Sequence, residues 1–380
     1  MRHLPALVED GIRTAVKHLR ILSADRLLSE AEWRRAYVIL GFMSNAYIWG
    51  GDAPEEVLPP QITVPFLEVS KHLQIPPVLT YAAANLWNFT CTGEDFSDLS
   101  QLDTIHTFTG TESESWFLLV SVAMEAKAGG IIPRMMGALE AVKRRDYEVI
   151  VTALEELKTC IDGVSALLER MYEKCDPMTF YYDIRPFLAG SKNMESAGLP
   201  RGVFYDEGDG KGEWRQLLGG SNGQSSLIQF FDIVLGVEHV TTGNKTGSKG
   251  ERSYHDVVRD YMPGPHSRFL THVSRMGSIR ELALLPAATE EQLRLRHAFT
   301  CATEALSRFR DKHIQIVARY IILPSRQANK GGRYNLASSS SEKSQHELTG
   351  TGGTTLVPFL KQSRDETRAT GEIKDEVHDG

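Results

Sequence analysis

The sequence predicts an all-α protein, with a small N-terminal helical domain over residues 1–77 and a large helical domain over residues 78–370. Three observations carry this expectation. Apolar residues recur at three- and four-residue spacing along nearly the whole chain, while period-2 alternation bounded by turn residues is scarce. The Gly- and Pro-rich stretch 50–65 and the Pro76-Pro77 pair interrupt that pattern. A length of 380 residues, at about 150 per domain, allows two domains and a full hydrophobic core.

Taken in order, residues 4–22 and 30–49 read as amphipathic helices, and 50–65 as a break. Residues 64–73 form a short helix stopped by Pro76 and Pro77. Helices follow near 78–89, 111–129, 133–145 and 147–174. Asp176-Pro177 is an N-cap with proline at the first helical position. It opens a helix over 177–189 that bends at Pro186 and closes at Gly190. The Gly- and Asp-rich stretch 198–212 reads as a loop, and LLGGSNGQSSLIQFFDIVLG as a Gly/Ser turn feeding a strongly apolar helix. Shorter helices near 254–258 and 267–285 precede a long one over 290–323, ended by Pro324. Residues 325–354, rich in Ser, Gly, Asn and Lys, are too long for an ordinary connection and read as a mobile loop. A last amphipathic helix over 356–369 leads into an acidic tail over 371–380.

Composition excludes several classes. Hydrophobic residues make up 41% and charged residues 24%, which is that of a folded globule, and the net charge of -7 argues against a nucleic-acid partner. Cys91, Cys160, Cys175 and Cys301 form no C-x-x-C pair or zinc-spaced cluster, so a reducing, cytoplasmic setting is expected. Glu9 and Asp10 stand where a signal peptide needs its apolar region, and the longest apolar run ends at Lys127, so no membrane partner is expected.

Neither glycine cluster suits a nucleotide. Residues 219–223 lack G-x-G-x-x-G spacing, and 243–247 is one residue short of a P-loop and followed by Ser248 instead of Lys. The first reads better as a tight helix entry whose exposed N–H groups approach something closely. Among twelve histidines, His313 differs because it shares the stripe of Leu306, Phe309, Ile316, Val317 and Tyr320, and so points inward. A buried histidine bonded to a carbonyl and a metal or haem ligand both satisfy that pattern. His297 lies about 160° round the same helix and cannot join it as a ligand. A lone imidazole suits haem better than a non-haem metal, because a porphyrin fills four positions itself.

Seven runs now bear on the choice: PPVLTYA (76–82), WFLLVSVAMEA (116–126), RPFLAG (185–190), GGSNGQSSLIQFFDIVLG (219–236), YMPGPHSRFL (261–270), RDKHIQIVARYIILP (310–324) and GTGGT (350–354). In content and order they resemble the indoleamine 2,3-dioxygenase family, and the resemblance covers most of the chain after about Tyr37. It implies a large helical domain holding haem b, with His313 as the proximal iron ligand. Arg310 would pair with Asp232 behind it, either tuning the site or serving as a plain interhelical salt bridge. It implies that Tyr81, Phe117, Ser121, Phe180, Tyr181 and Leu188 line the distal pocket, and that Gly220, Ser221 and Asn222 edge the haem. Arg185 would hold the substrate carboxylate. Thr354, ending GTGGT, would close over the amino acid, unless 325–354 is only a linker. Asn222 and Tyr181 depart from the alanine and phenylalanine of some members.

The implied activity is insertion of O2 across the indole C2–C3 bond of L-tryptophan or another indoleamine, giving N-formylkynurenine, the first step of the kynurenine pathway. An electron donor would keep the iron ferrous, and no side chain stands out as a general acid or base. The alternative is a haem-binding helical protein of the same family that signals or binds with little turnover.

Overall fold

A computed structural model describes residues 11–240, 252–327 and 356–373. Within these residues the chain is predominantly helical, with two small sheets, as expected. Helix α1 (Ile12–Lys17) lies within the helix read over 4–22 but is capped at His18, so residues 18–22 do not form the helix expected there. Helix α2 (Glu30–Trp49) begins at a capping box, in which Ser29 accepts from the Glu32 amide and Glu32 accepts from the Ser29 amide. After strand β1 (Val57–Leu58), helix α3 (Pro60–Leu73) starts four residues before the expected position. Pro60 occupies the first helical position, where no amide hydrogen is needed, so proline starts this helix instead of blocking it.

The helix expected over 78–89 does not form. Residues 76–80 run irregularly, held by the Tyr37 hydroxyl on Val78 O at 2.8 Å and the Tyr205 hydroxyl on Pro77 O at 2.6 Å. A single wide π-helical turn (Ala82–Leu86) follows, then strand β2 (Phe89–Cys91), which pairs antiparallel with β3 (Leu102–Thr104). Helix α4 (Glu112–Ala128) bends by 43° at Gly129-Gly130 into α5 (Ile131–Val142), and α6 (Tyr147–Glu169) packs against both.

The helix expected over 177–189 is instead three short pieces: one α-turn (Pro177–Thr179), a π-turn (Phe180–Ile184) and a 3-10 turn (Arg185–Leu188). The stretch read as a loop over 198–212 contains a hairpin, β4 (Val203–Gly208) and β5 (Lys211–Arg215). Asp209 and Gly210, both at positive φ, make the two-residue turn that suits the twist of paired strands. β1 pairs parallel with β4, tying the first 77 residues to the rest of the chain.

Helix α7 (Ser226–Leu235) is capped by Ser225 and ends at Gly236 in the left-handed region. Helices α8 (Tyr254–Arg259), α9 (Gly264–Val273) and α10 (Ile279–Leu284) follow, the last two replacing the single helix expected over 267–285. Helix α11 (Glu290–Val317) starts at a Thr289/Gln292 capping box and runs into a third π-turn (Ala318–Ile322). It packs against α6 and against the last helix, α12 (Leu356–Gly371). One buried apolar core runs continuously from Ile12 to Tyr320. Among the described residues, no single helix is long and apolar enough to cross a membrane.

Candidate functional site

One cavity collects most of the residues singled out in the sequence. Helix α4 presents Phe117 and Ser121 to it, four residues apart on one face. Tyr81 enters from the start of the first π-turn, Phe180 from the second, and Arg185 and Leu188 from the 3-10 turn. Gly220, Ser221 and Asn222 form another edge, and α11 contributes Arg310 and His313. The rings of Phe117 and Phe180 lie 4.8 Å apart, and Phe180 meets Tyr320 edge-on at 5.8 Å, so this part of the wall is aromatic and closely packed.

Backbone packing fixes the glycine edge. Gly219 lies against the Leu188 carbonyl and the Gly190 amide so closely that a Cβ on either glycine would strike backbone. Gln224 then ties two walls together. Its amide group donates to Gly219 O at 2.8 Å, while its carbonyl oxygen accepts the Tyr81 amide at 2.9 Å. The close approach expected at 219–223 is therefore one of backbone to backbone.

Two expected site residues are placed off the cavity wall. Tyr181 is buried, with its ring 5.8 Å from the Arg185 guanidinium and edge-on to Tyr182. Its spacing of four from Arg185 does put the two side by side, but the intervening turn is π-helical, so Tyr181 does not share the wall formed by Phe180 and Leu188. Asp232 lies behind the wall and accepts both Nη2 hydrogens of Arg310, at 2.7 and 2.8 Å. Thr354 and the rest of GTGGT lie outside the described residues, as does most of the loop over 325–354.

His313 faces the cavity from α11, and no described residue hydrogen-bonds its ring. Burial, reinforced by the nearby Arg310 charge, brings its pKa down to about 4, so at neutral pH the imidazole is uncharged and keeps a lone pair for a metal. His297 is exposed on another face of α11, beside Cys301. Arg185 is only 1% exposed, and burial lowers its pKa from the ordinary arginine value. A guanidinium held out of water at a cavity wall suits a carboxylate, which it can grip with two charge-assisted hydrogen bonds.

Behind His313 lies a polar cluster that sequence reasoning found only in part. Arg310 also donates to Ser363 O at 2.9 Å and to the Thr367 hydroxyl, both on α12. His239 bridges Asp232 at 3.2 Å and Glu366 at 2.6 Å, and its ring stacks on His255 at 3.9 Å. Ligand atoms of Asp232, His239 and His255 lie within 4.8 Å of one another. Stacked imidazoles, however, hold their lone pairs in nearly parallel planes, which cannot converge on one metal ion. Of the two imidazoles on the cavity wall, His255 is stacked on His239, whereas the His313 ring has no ligand-bearing side chain grouped with it among the described residues. An imidazole standing alone in this way fits a group that fills its own equatorial positions, as haem does.

A family model for indoleamine 2,3-dioxygenase matches residues 1–370 of this chain. The chain belongs to the indoleamine 2,3-dioxygenase family. It is 41% identical to an indoleamine 2,3-dioxygenase of Saccharomyces cerevisiae, over 98% of this chain and 86% of the relative. It is 37% identical to a 6-hydroxytryptophan 2,3-dioxygenase of Fusarium equiseti, over 96% and 87%. It is 32% identical to indoleamine 2,3-dioxygenase 2 of Homo sapiens, over 96% and 86%. As a member of this generally haem-dependent family, the chain is a dioxygenase, an oxidoreductase. The signalling protein with little turnover is not favoured.

The sequence reading missed several wall residues: Glu125, Tyr254, His255 and Phe359. Glu125 carried a signal, being an acid inside an apolar run, four residues after Ser121 and eight after Phe117. Tyr254, His255 and Phe359 lie just outside the runs 261–270 and 350–354 and carried no pattern of their own that marks a site.

Proposed function

We propose that this chain holds haem b on His313 and inserts both atoms of O2 across the C2–C3 bond of L-tryptophan or a related indoleamine, giving N-formylkynurenine. The observation that carries the reading is a neutral, inward-facing imidazole on a largely apolar cavity whose wall also carries the buried Arg185 guanidinium, apart from the Arg310 group paired with Asp232. When bound, haem supplies the ferrous iron at which O2 reacts. Both oxygen atoms end in the product, so turnover consumes no reductant, and an electron donor serves only to keep the iron ferrous.

The chain's own residues orient and desolvate. Arg185 holds the substrate carboxylate, and its burial strengthens that grip because water competes less. Phe117, Phe180 and Leu188 hold the indole ring, and with Tyr81 they exclude water from the reacting face. Gly220, Ser221 and Asn222 edge the haem. Asp232 fixes Arg310 behind His313 and offsets its charge. The names of the relatives include indoleamines and a ring-hydroxylated tryptophan, which supports a substrate class wider than L-tryptophan alone.

Two variants of the haem-loaded protein test this reading. His313→Ala is expected to lose haem, or to keep it without forming N-formylkynurenine, while His297→Ala does neither. An unchanged ferrous absorption spectrum together with full turnover in His313→Ala would overturn the ligand assignment.

A further inference from the structure

The cavity wall carries one carboxyl group that this reading leaves without a task. Glu125 continues the face of α4 that bears Phe117 and Ser121, and it too lines the cavity. Its Oε1 accepts from two hydroxyls, Tyr81 at 2.9 Å and Ser225 at 2.6 Å. These come from two further elements, and together they hold the carboxyl in one orientation. Among the described residues, no group hydrogen-bonds Oε2.

The chemistry of that second oxygen narrows what it can meet. Burial raises the Glu125 pKa and keeps the Tyr81 phenol protonated, so the neutral acid is favoured over its ordinary state. With Oε1 occupied by two donors, a proton on the acid sits on Oε2 and is donated into the cavity. If the group is ionised, Oε2 accepts instead. A hydroxyl can accept in the first case and donate in the second, so it satisfies Oε2 in either state. A ring C–H satisfies neither and leaves a buried polar atom without a partner.

Position selects which part of the substrate meets it. Glu125 lies two helical turns, about 12 Å along α4, from Phe117, which packs on Phe180 next to the Arg185 segment. A substrate anchored by its carboxylate at Arg185 presents its ring, not its charged end, along this face.

We propose that Glu125 is a specificity-determining residue whose Oε2 pairs with a hydroxyl on the benzo ring of the substrate, so that the cavity favours hydroxylated indole amino acids over their unsubstituted parent. This rests on the function proposed above. The test compares L-tryptophan with 5-hydroxy- and 6-hydroxy-L-tryptophan on haem-loaded wild type, Glu125→Leu and Glu125→Gln, measuring kcat/KM and anaerobic equilibrium binding by calorimetry. In Glu125→Leu, the ratio of kcat/KM for the better hydroxylated substrate to that for tryptophan is expected to fall about 10-fold, equivalent to about 1.4 kcal/mol. The fall should reside in KM and be mirrored in Kd, because the contact is remote from the reacting bond. Glu125→Gln, whose oxygen can keep Tyr81 and Ser225 while its NH2 donates to the hydroxyl, should keep the ratio within about threefold. An unchanged ratio in Glu125→Leu, or an equal loss for all three substrates in both variants, would overturn the proposal. Absence of tryptophan turnover in wild type would instead reject the proposed function, and the calorimetric ratio alone would then decide the role of Glu125.

Discussion

At the scale of single residues, Arg185 is the side chain whose removal separates substrate orientation from haem binding. Arg185→Ala should leave the haem spectrum intact while lowering kcat/KM for tryptophan. Loss of a charge-assisted hydrogen bond is worth about 1.5–3 kcal/mol, or roughly 10- to 150-fold. Tryptamine, which has no carboxylate, should lose much less, and a pairwise comparison of the two substrates on both proteins reads the difference. Equal losses for both would make Arg185 structural. Phe117 and Ser121 were legible as one face because α4 is a regular helix there, and both do line the cavity. Tyr181 and Arg185 were read with the same rule, but the backbone between them is a π-turn. They remain neighbours, yet Tyr181 does not reach the wall.

At the scale of elements, a buried network of charged and hydrogen-bonding side chains ties α12 to the body. Arg310 reaches Ser363 and Thr367 on α12, and His239 bridges Asp232 to Glu366 while facing Arg310 and His255. Burial raises the Asp232 pKa, but Arg310 and His239 outweigh it and hold it at about 2. Burial likewise opposes the charge on His239, but its hydrogen bonds to Asp232 and Glu366 win and its pKa is raised. The His239 contribution is therefore fully present below about pH 6.5 and is lost as pH rises through its higher folded value. The Asp232 contribution is present above about pH 3.9 and fades only as pH falls toward about 2. Amide hydrogen exchange in α12, corrected for intrinsic base catalysis, should accelerate above neutral pH, and His239→Gln should abolish that acceleration. A flat profile in wild type would show that His239 does not latch α12. Asp232→Ala should cost about 3–5 kcal/mol, read by denaturant unfolding, because it strands a buried guanidinium.

At the scale of the whole molecule, the N-terminal helices shape the site without touching it. Asn45 and Trp49 of α2 donate to the carbonyls of Phe187 and Ala189, directly after Arg185. Phe42 of α2 stacks on Phe108, which stacks on Phe187, each at 4.7 Å. Asn45→Leu should therefore weaken tryptophan binding and lower stability by about 1–3 kcal/mol, because Phe187 O loses its donor while Ala189 O keeps only Trp49, and haem absorbance should stay unchanged. Loss of haem in that variant would place the role of α2 elsewhere. The sequence by itself determined the helical class, the N-cap at Asp176, the starts of α2 and α11, the inward stripe bearing His313, and, through motif resemblance, the family. These are properties of local spacing and side-chain chemistry, which survive without knowledge of neighbours. Only the tertiary structure decided the three π-turns, the β1–β4–β5 sheet, the cluster of His239 and His255 on Asp232 and Glu366, and the meeting of Glu125 with Tyr81 and Ser225. Each of these joins segments far apart in the chain, or trades a local hydrogen-bond pattern for packing against such a segment, and periodicity within one segment carries no record of that exchange.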